Sequence, residues 1–533
     1  MTLLNQCLGE DISGLIRYEK VTYDDSQTNK INTVNTVLPG ARVSISHAGP
    51  TQSTTTDANG NYQFGGITAP YTITVYSSNN SIIVRNRNET TYSYQLSQNS
   101  KSAVISVANN SGAFNIYTKM YEAKMWLAEK GITSISSGVS SATDSFDDYR
   151  YGTSLNNIIV NWPSDGTYYD PENGQLSFLG GSEETDHDEF DDDIILHEFG
   201  HLLMDAISVD HSQGGPHSIT DHIDMRLAWS EGVASYVSAA IRNDSNLVDT
   251  TYTDTSLNAL TRGSNYDIND PASSIQESTN EWAVSYILWN AQQAEDLSGN
   301  DGAARVFSVL TQFENLPSSV SNSQISLDTF HDVWSSNSYT DLNSYYSEMK
   351  MSYEKDFSEI IEGQEVPVPV STTGTMSNTQ TLYPYSDVDY YSFNPAPGTY
   401  AIQTHLAGRT GNGILTSLKL YKGSIANENI IATNNQIGES RVAQTSGFEV
   451  TFTDRATYYA AVSRFNSSSA NYGLNAPGDY TSTAGSYGSY KLSVEKDGVL
   501  SIPITPTGSS GGSIAGSPST PGSDNGGGGC LLR

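Results

Sequence analysis

At 533 residues the chain is longer than one ordinary hydrophobic core encloses, and its length suggests about three domains. With 59 acidic against 26 basic residues its net charge is −33, which argues against nucleic acid or an anionic membrane surface as a partner. No stretch is long and apolar enough to span a bilayer, and Cys7 and Cys530, at opposite ends, staple no domain.

The first residues lack the basic and apolar regions of a signal peptide; Leu3-Leu4-Asn5-Gln6-Cys7 loosely resembles the end of a lipoprotein signal, and a truncated start is the plainer expectation. From 11 to 106 the pattern is of strands. Gly14–Tyr18, Ala41–Ile45 and Tyr71–Val75 alternate apolar and polar residues, with a turn at Asp57-Ala58-Asn59-Gly60. Pro39-Gly40-Ala41-x-Val43 with Thr55-Thr56-Asp57-x-Asn59-Gly60-x-Tyr62-x-Phe64 resembles the carboxypeptidase regulatory-like domain, which implies a small β-sandwich without chemistry of its own.

A second region, 110 to 362, is mainly helical. Helices are expected from Ile116 to Lys130, around residues 194–203, 227–237 and 281–289, and from Ala303 to Phe313. Two strands, Asn157–Trp162 and Gln175–Leu179, should flank a turn at Asp170–Gly174; the second is a candidate substrate-pairing edge, with a plain core strand as the simpler alternative. The acid-rich run Glu183–Asp193 could bind Ca²⁺, but it fits no EF-hand spacing, and a solvated helix start is the simpler expectation.

That helix carries His197-Glu198-Phe199-Gly200-His201. Two imidazoles four positions apart share one helix face and can grip one Zn²⁺, leaving the intervening Glu198 to act as general base on a water there. Burying two histidines and a glutamate in an apolar helix without partners would be costly, which favours the metal reading over a plain core helix. A catalytic zinc needs a third protein ligand. Glu231, an acid among Trp229, Val233, Ala234 and Val237, is the leading candidate, with His217, His222 and Asp224 as alternatives.

Together with Trp229-Ser230-Glu231-Gly232-Val233-Ala234-Ser235-Tyr236, the motif resembles the gluzincin metallopeptidases. The resemblance implies an α+β zincin-like domain, His197, His201 and Glu231 as ligands, Glu198 as base, and an edge strand beside the cleft. Two departures stand out: the interval from His201 to Glu231 is longer than in thermolysin-like enzymes, and Ser235 occupies the place of an Asp that orients a ligand histidine. His217, Tyr236, Tyr266 and His331 are candidate oxyanion donors, with His217 also suited to support from outside the ligand set; Asp205, on the His201 face, could tune a ligand.

After the Pro-spaced connector Glu365–Val370, strands resume from 368 to 497. Ser386–Phe393, Gly398-Thr399-Tyr400, Leu418–Tyr421, Thr457–Val462 and Tyr490–Val494 resemble the bacterial pre-peptidase C-terminal domain, which implies a β-sandwich appended to exported peptidases. Residues 498–533 form a Gly/Ser/Pro-rich tail.

The expected chain is therefore multidomain: a β-sandwich, an α+β zincin-like domain and a second β-sandwich. Its expected activity is that of an extracellular or cell-surface zinc endopeptidase, monomeric, acting on protein or peptide. An adhesion protein with an inactive metallopeptidase domain and a zinc hydrolase of another substrate are the alternatives.

Overall fold

In this computed structural model the described residues are 9–23, 31–132, 155–180, 186–210, 212, 217–219, 225–252, 260–271, 280–313, 325–349, 367–377, 380–381, 388–406, 416–434, 447–464, 489–498 and 500. Both cysteines, His222, Asp224 and nearly all of the tail lie outside them.

Nine strands come first: β1 (Glu10–Tyr23), β2 (Ile31–Val37), β3 (Arg42–Ser46), β4 (Gln52–Thr55), β5 (Asn61–Ile67), β6 (Thr72–Tyr76), β7 (Ile82–Arg85), β8 (Ser93–Gln95) and β9 (Ala103–Ile105). One sheet runs β2-β1-β5, with β9 parallel to β1; another runs β4-β3-β6-β8. The alternation expected of a half-buried strand is visible in β3 and β6, where Val43, Ile45, Ile73 and Val75 are buried and their neighbours are not.

Helix α1 (Ser111–Glu129) then packs back on these strands. Tyr117 donates to Gly40 O at 2.6 Å, and Tyr18 donates to Asn115 Oδ1 at 3.0 Å. The next strands are β10 (Ile158–Ser164), β11 (Tyr168–Asp170) and β12 (Gln175–Leu179), and their sheet has the order β11-β12-β10-β7. Strand β7 pairs in parallel with β10, Ile82 facing Ile158 and Val84 facing Val160. The segment 11–106, expected from the sequence to be a small β-sandwich, lends β7 to the sheet of the region that follows, and one apolar core runs from Ile12 to Met349. Strand β12 is paired on both sides, as the core-strand reading requires and not as the edge reading does, and β11 stands at the end of the sheet.

Helices α2 (Asp192–Ile207) and α3 (Met225–Arg242), strands β13 (Asn246–Tyr252) and β14 (Leu260–Asp267), and helices α4 (Glu281–Leu297), α5 (Gly302–Leu310), α6 (Leu327–Ser336) and α7 (Asn343–Glu348) complete this part. The acids opening α2 are not solvated, contrary to the sequence expectation. Asp191 caps the helix by accepting from Ile194 N and also takes Thr250 N at 2.8 Å, while Asp193 accepts Val248 N at 2.9 Å. They are buried because they satisfy the unpaired amides of both a helix start and strand β13.

The remaining strands are β15 (Val368–Pro369), β16 (Gln380–Thr381), β17 (Val388–Phe393), β18 (Gly398–Leu406), β19 (Thr416–Lys422), β20 (Ile430–Asn434), β21 (Gly447–Phe452), β22 (Tyr458–Arg464) and β23 (Ser489–Lys496). They form two sheets, β15-β17-β22-β19-β20 and β16-β23-β18-β21, around a core of their own that includes Tyr391, Phe393, Tyr400, Leu418 and Phe452. No described helix is long and apolar enough to cross a membrane.

Candidate metal centre

Three helices build the site, and two glycines set their spacing. A Cβ on Gly200 would stand 2.6 Å from Ala234 Cα, so glycine is what lets α2 and α3 touch backbone to backbone. A Cβ on Gly232 would meet Val284 Cβ at 2.5 Å, which fixes α4 against the other side of α3. Trp229, between Phe313 and Phe330, anchors α3 in the core.

In this arrangement His197 Nε2 lies 3.1 Å from Glu231 Oε2, His201 Nε2 lies 3.3 Å from the same oxygen, and the two Nε2 atoms are 3.2 Å apart. Donors held about 2.0–2.1 Å from a tetrahedral zinc are separated by roughly 3.3 Å, so the three atoms form a face that fits this ion. The pocket also calls for positive charge. Burial pushes His197 down, whereas at His201 the carboxylates of Glu231, Glu198 and Asp210 outweigh burial and raise the imidazole to about 9. Glu231, despite burial, is held well below the usual carboxylate range by His201 and His217.

The outer nitrogens of both histidines face serines. His201 Nδ1 is 3.2 Å from Ser230 Oγ, which donates to Asp210 Oδ2 at 2.6 Å. His197 Nδ1 is 3.2 Å from Ser235 Oγ, which in turn is 3.4 Å from the Tyr266 hydroxyl. With the proton on Nδ1, each Nε2 offers its lone pair to the metal. Ser235, four residues beyond Glu231, thus contacts the Nδ1 side of His197.

Glu198, between the two histidines, is fully buried beside them, and its charge is felt at His201. His217 is also at the centre: its Nε2 is 3.5 Å from Glu231 Oε2 and 3.5 Å from Glu281 Oε2. Glu281, the first residue of α4, was not singled out from the sequence, where it reads as an ordinary first-turn acid. Its neighbour Asn280 places it. Asn280 caps α4 through Ala283 N at 3.1 Å and donates to Ile219 O at 2.8 Å, tying the stretch around His217 to the helix.

Other expected participants lie elsewhere. Tyr236 donates to Gln292 at 2.9 Å within the core, because four residues beyond Gly232 its ring turns to Phe307. Asp205 accepts from Tyr169 of the edge strand β11 at 2.6 Å, and His331 packs edge-on against Tyr346. Away from the centre, Asp186, Asp188 and Asp249 bring carboxylate oxygens within 4.8 Å of one another at the start of α2. Burial, and next the charge of Asp186, push Asp188 well above the usual range.

Residues 140–359 match the family described as the mycolysin C-terminal domain, a span that contains His197, Glu198, His201, His217, Glu231 and Glu281. Among solved structures, the chain is 17% identical to the pre-peptidase C-terminal domain of a collagenase from Bacillus anthracis, covering 25% of this chain and 99% of that one, with a TM-score of 0.17. It is 11% identical to a cycloisomaltooligosaccharide glucanotransferase from Paenibacillus sp., covering 91% and 72% of the two chains, with a TM-score of 0.12. No curated protein matches the chain.

Proposed function

We propose that the protein is an exported zinc metallopeptidase, acting as an endopeptidase with Glu198 as its base. The observation that carries this reading is the triangle of His197 Nε2, His201 Nε2 and Glu231 Oε2, with edges of 3.2, 3.1 and 3.3 Å. The match of residues 140–359 to a domain of peptidases supports it.

Zinc, when bound by these three residues, supplies a Lewis acid that polarises the scissile carbonyl and makes water a better nucleophile at neutral pH. Glu198 takes the proton of the attacking water and passes it to the leaving amine, so one carboxyl serves first as base and then as acid. Ser230, with Asp210 behind it, and Ser235 hold the two imidazoles in the tautomer and orientation that the ion requires. Strand β11, whose outer side pairs with no described strand, is the edge on which an extended peptide can lie. Export accords with the strongly acidic composition.

Zinc analysis of the purified full chain, combined with cleavage of casein, tests the reading. Bound zinc with proteolysis is expected; zinc without proteolysis points to a hydrolase of another substrate, and neither points to a binding protein.

A further inference from the structure

Glu281, the first residue of α4, is a buried carboxylate. It is 1% exposed, neither of its oxygens accepts a hydrogen bond from a described residue, and the partner it faces is His217. A buried carboxylate in this state is expensive, and natural proteins compensate it with donors, a close ion pair or a metal. The contact with His217 is not a close pair. A charge-assisted hydrogen bond draws its atoms to about 2.7–2.9 Å, but His217 Nε2 stands 3.5 Å from Glu281 and the same 3.5 Å from Glu231. Equal, long separations to two carboxylates are what donors show around a shared cation.

We infer that the protein holds a second divalent cation, bound by His217, Glu281 and the shared carboxylate of Glu231. Around Glu231 the potential ligand atoms of the described residues fall into two sets, His197/His201/Glu231 and His217/Glu231/Glu281, each with all its atoms within 4.8 Å of one another. One imidazole nitrogen and two carboxylates suit a borderline ion such as Zn²⁺. Charge favours it too. Glu198, Glu231 and Glu281 bring three carboxyl groups into one buried pocket, and of these the first ligand set engages Glu231 but not Glu281. A paired centre of this kind clamps a substrate oxygen from two sides, which widens what the site can bind.

This inference rests on the first metal set proposed above, and metal stoichiometry separates the two. Full-length protein is stripped with a chelator, titrated with Zn²⁺ alone and analysed for bound metal after dialysis. Two equivalents are expected in the wild type, falling to one in Glu281→Gln and in His217→Asn. One equivalent in the wild type overturns the second site and leaves the first intact. Two equivalents retained in both variants overturn it as well, since the second ion then lies elsewhere. No bound zinc overturns both readings. Should a variant fail to fold, the Co²⁺-loaded wild type decides: ions sharing Glu231 give an attenuated, spin-coupled electron paramagnetic resonance signal, whereas a full-intensity signal for each ion bound contradicts a shared ligand.

Discussion

The Ser230 hydroxyl stands 3.2 Å from His201 Nδ1, so this histidine reaches its supporting carboxylate, Asp210, through an intervening alcohol. The arrangement puts a neutral group where direct contact would place a charge, and leaves the imidazole oriented by one short donor–acceptor chain. Ser230→Ala should therefore weaken zinc binding or turnover by about 10–100-fold, the usual cost of losing such support. Competition with a chromogenic chelator reads the affinity directly. An unchanged affinity together with unchanged turnover would show that packing around α3 alone orients His201.

Glu198→Gln should bind zinc as the wild type does and lose about 100-fold or more in turnover, because the amide cannot accept the proton. Turnover above a tenth of wild type would remove Glu198 from the base role.

Glu231→Ala should lose zinc from the first set altogether, since two histidines alone hold it poorly. Metal analysis after dialysis decides; zinc retained in this variant but lost in His217→Ala would replace Glu231 by a third histidine.

Asp192 offers a test of pH dependence. Burial pushes its carboxyl up, but Lys119 and Lys20 outweigh burial and hold it below the usual range. A depressed folded pKa means that the stabilisation is complete above the unfolded value, near 4, and fades as pH falls through the folded one. In metal-free protein, Lys119→Met should lower the unfolding free energy by about 2 kcal/mol at pH 7. The difference should shrink toward zero at pH 2. Urea unfolding at the two pH values measures it, and an equal loss at both would trace the effect to packing of the lysine stem.

Removal of everything after residue 366 should leave a folded, active protein. The core of the C-terminal sheets is separate from that of residues 12–349, and every proposed ligand precedes the cut. Circular dichroism and casein cleavage by residues 1–366 check this; an unfolded product would make the last two sheets part of the same cooperative unit.

The parts of the site that lie on one helix were legible in the sequence, because spacing of four places His197 and His201 on one face whatever surrounds them. Glu231 was legible for a different reason, as an acid stranded among apolar neighbours. Glu281 was not, since it sits in the first turn of its helix, where an acid is ordinary; Gly232, which admits α4, and the capping Asn280 were the available signals. Strand order escaped too. Nothing local in Gln175–Leu179 says that β11 folds over to cover its free side, and the alternation in Ile82–Arg85 does not tell which sheet that strand joins. The acids before the metal helix misled because solvent and strand amides satisfy a carboxylate equally well.

The pairing of β7 with β10 also sets a timetable for biosynthesis. Ile82 leaves the ribosome 76 residues ahead of its partner Ile158, an interval of roughly 4–15 s at typical elongation rates. Throughout it, the nascent N-terminal strands carry an apolar edge with no neighbour on that side, the kind of surface that chaperones hold and that mispairs between chains. Only when β10 arrives is that edge closed, and the metal helix follows it out within a further few tens of residues.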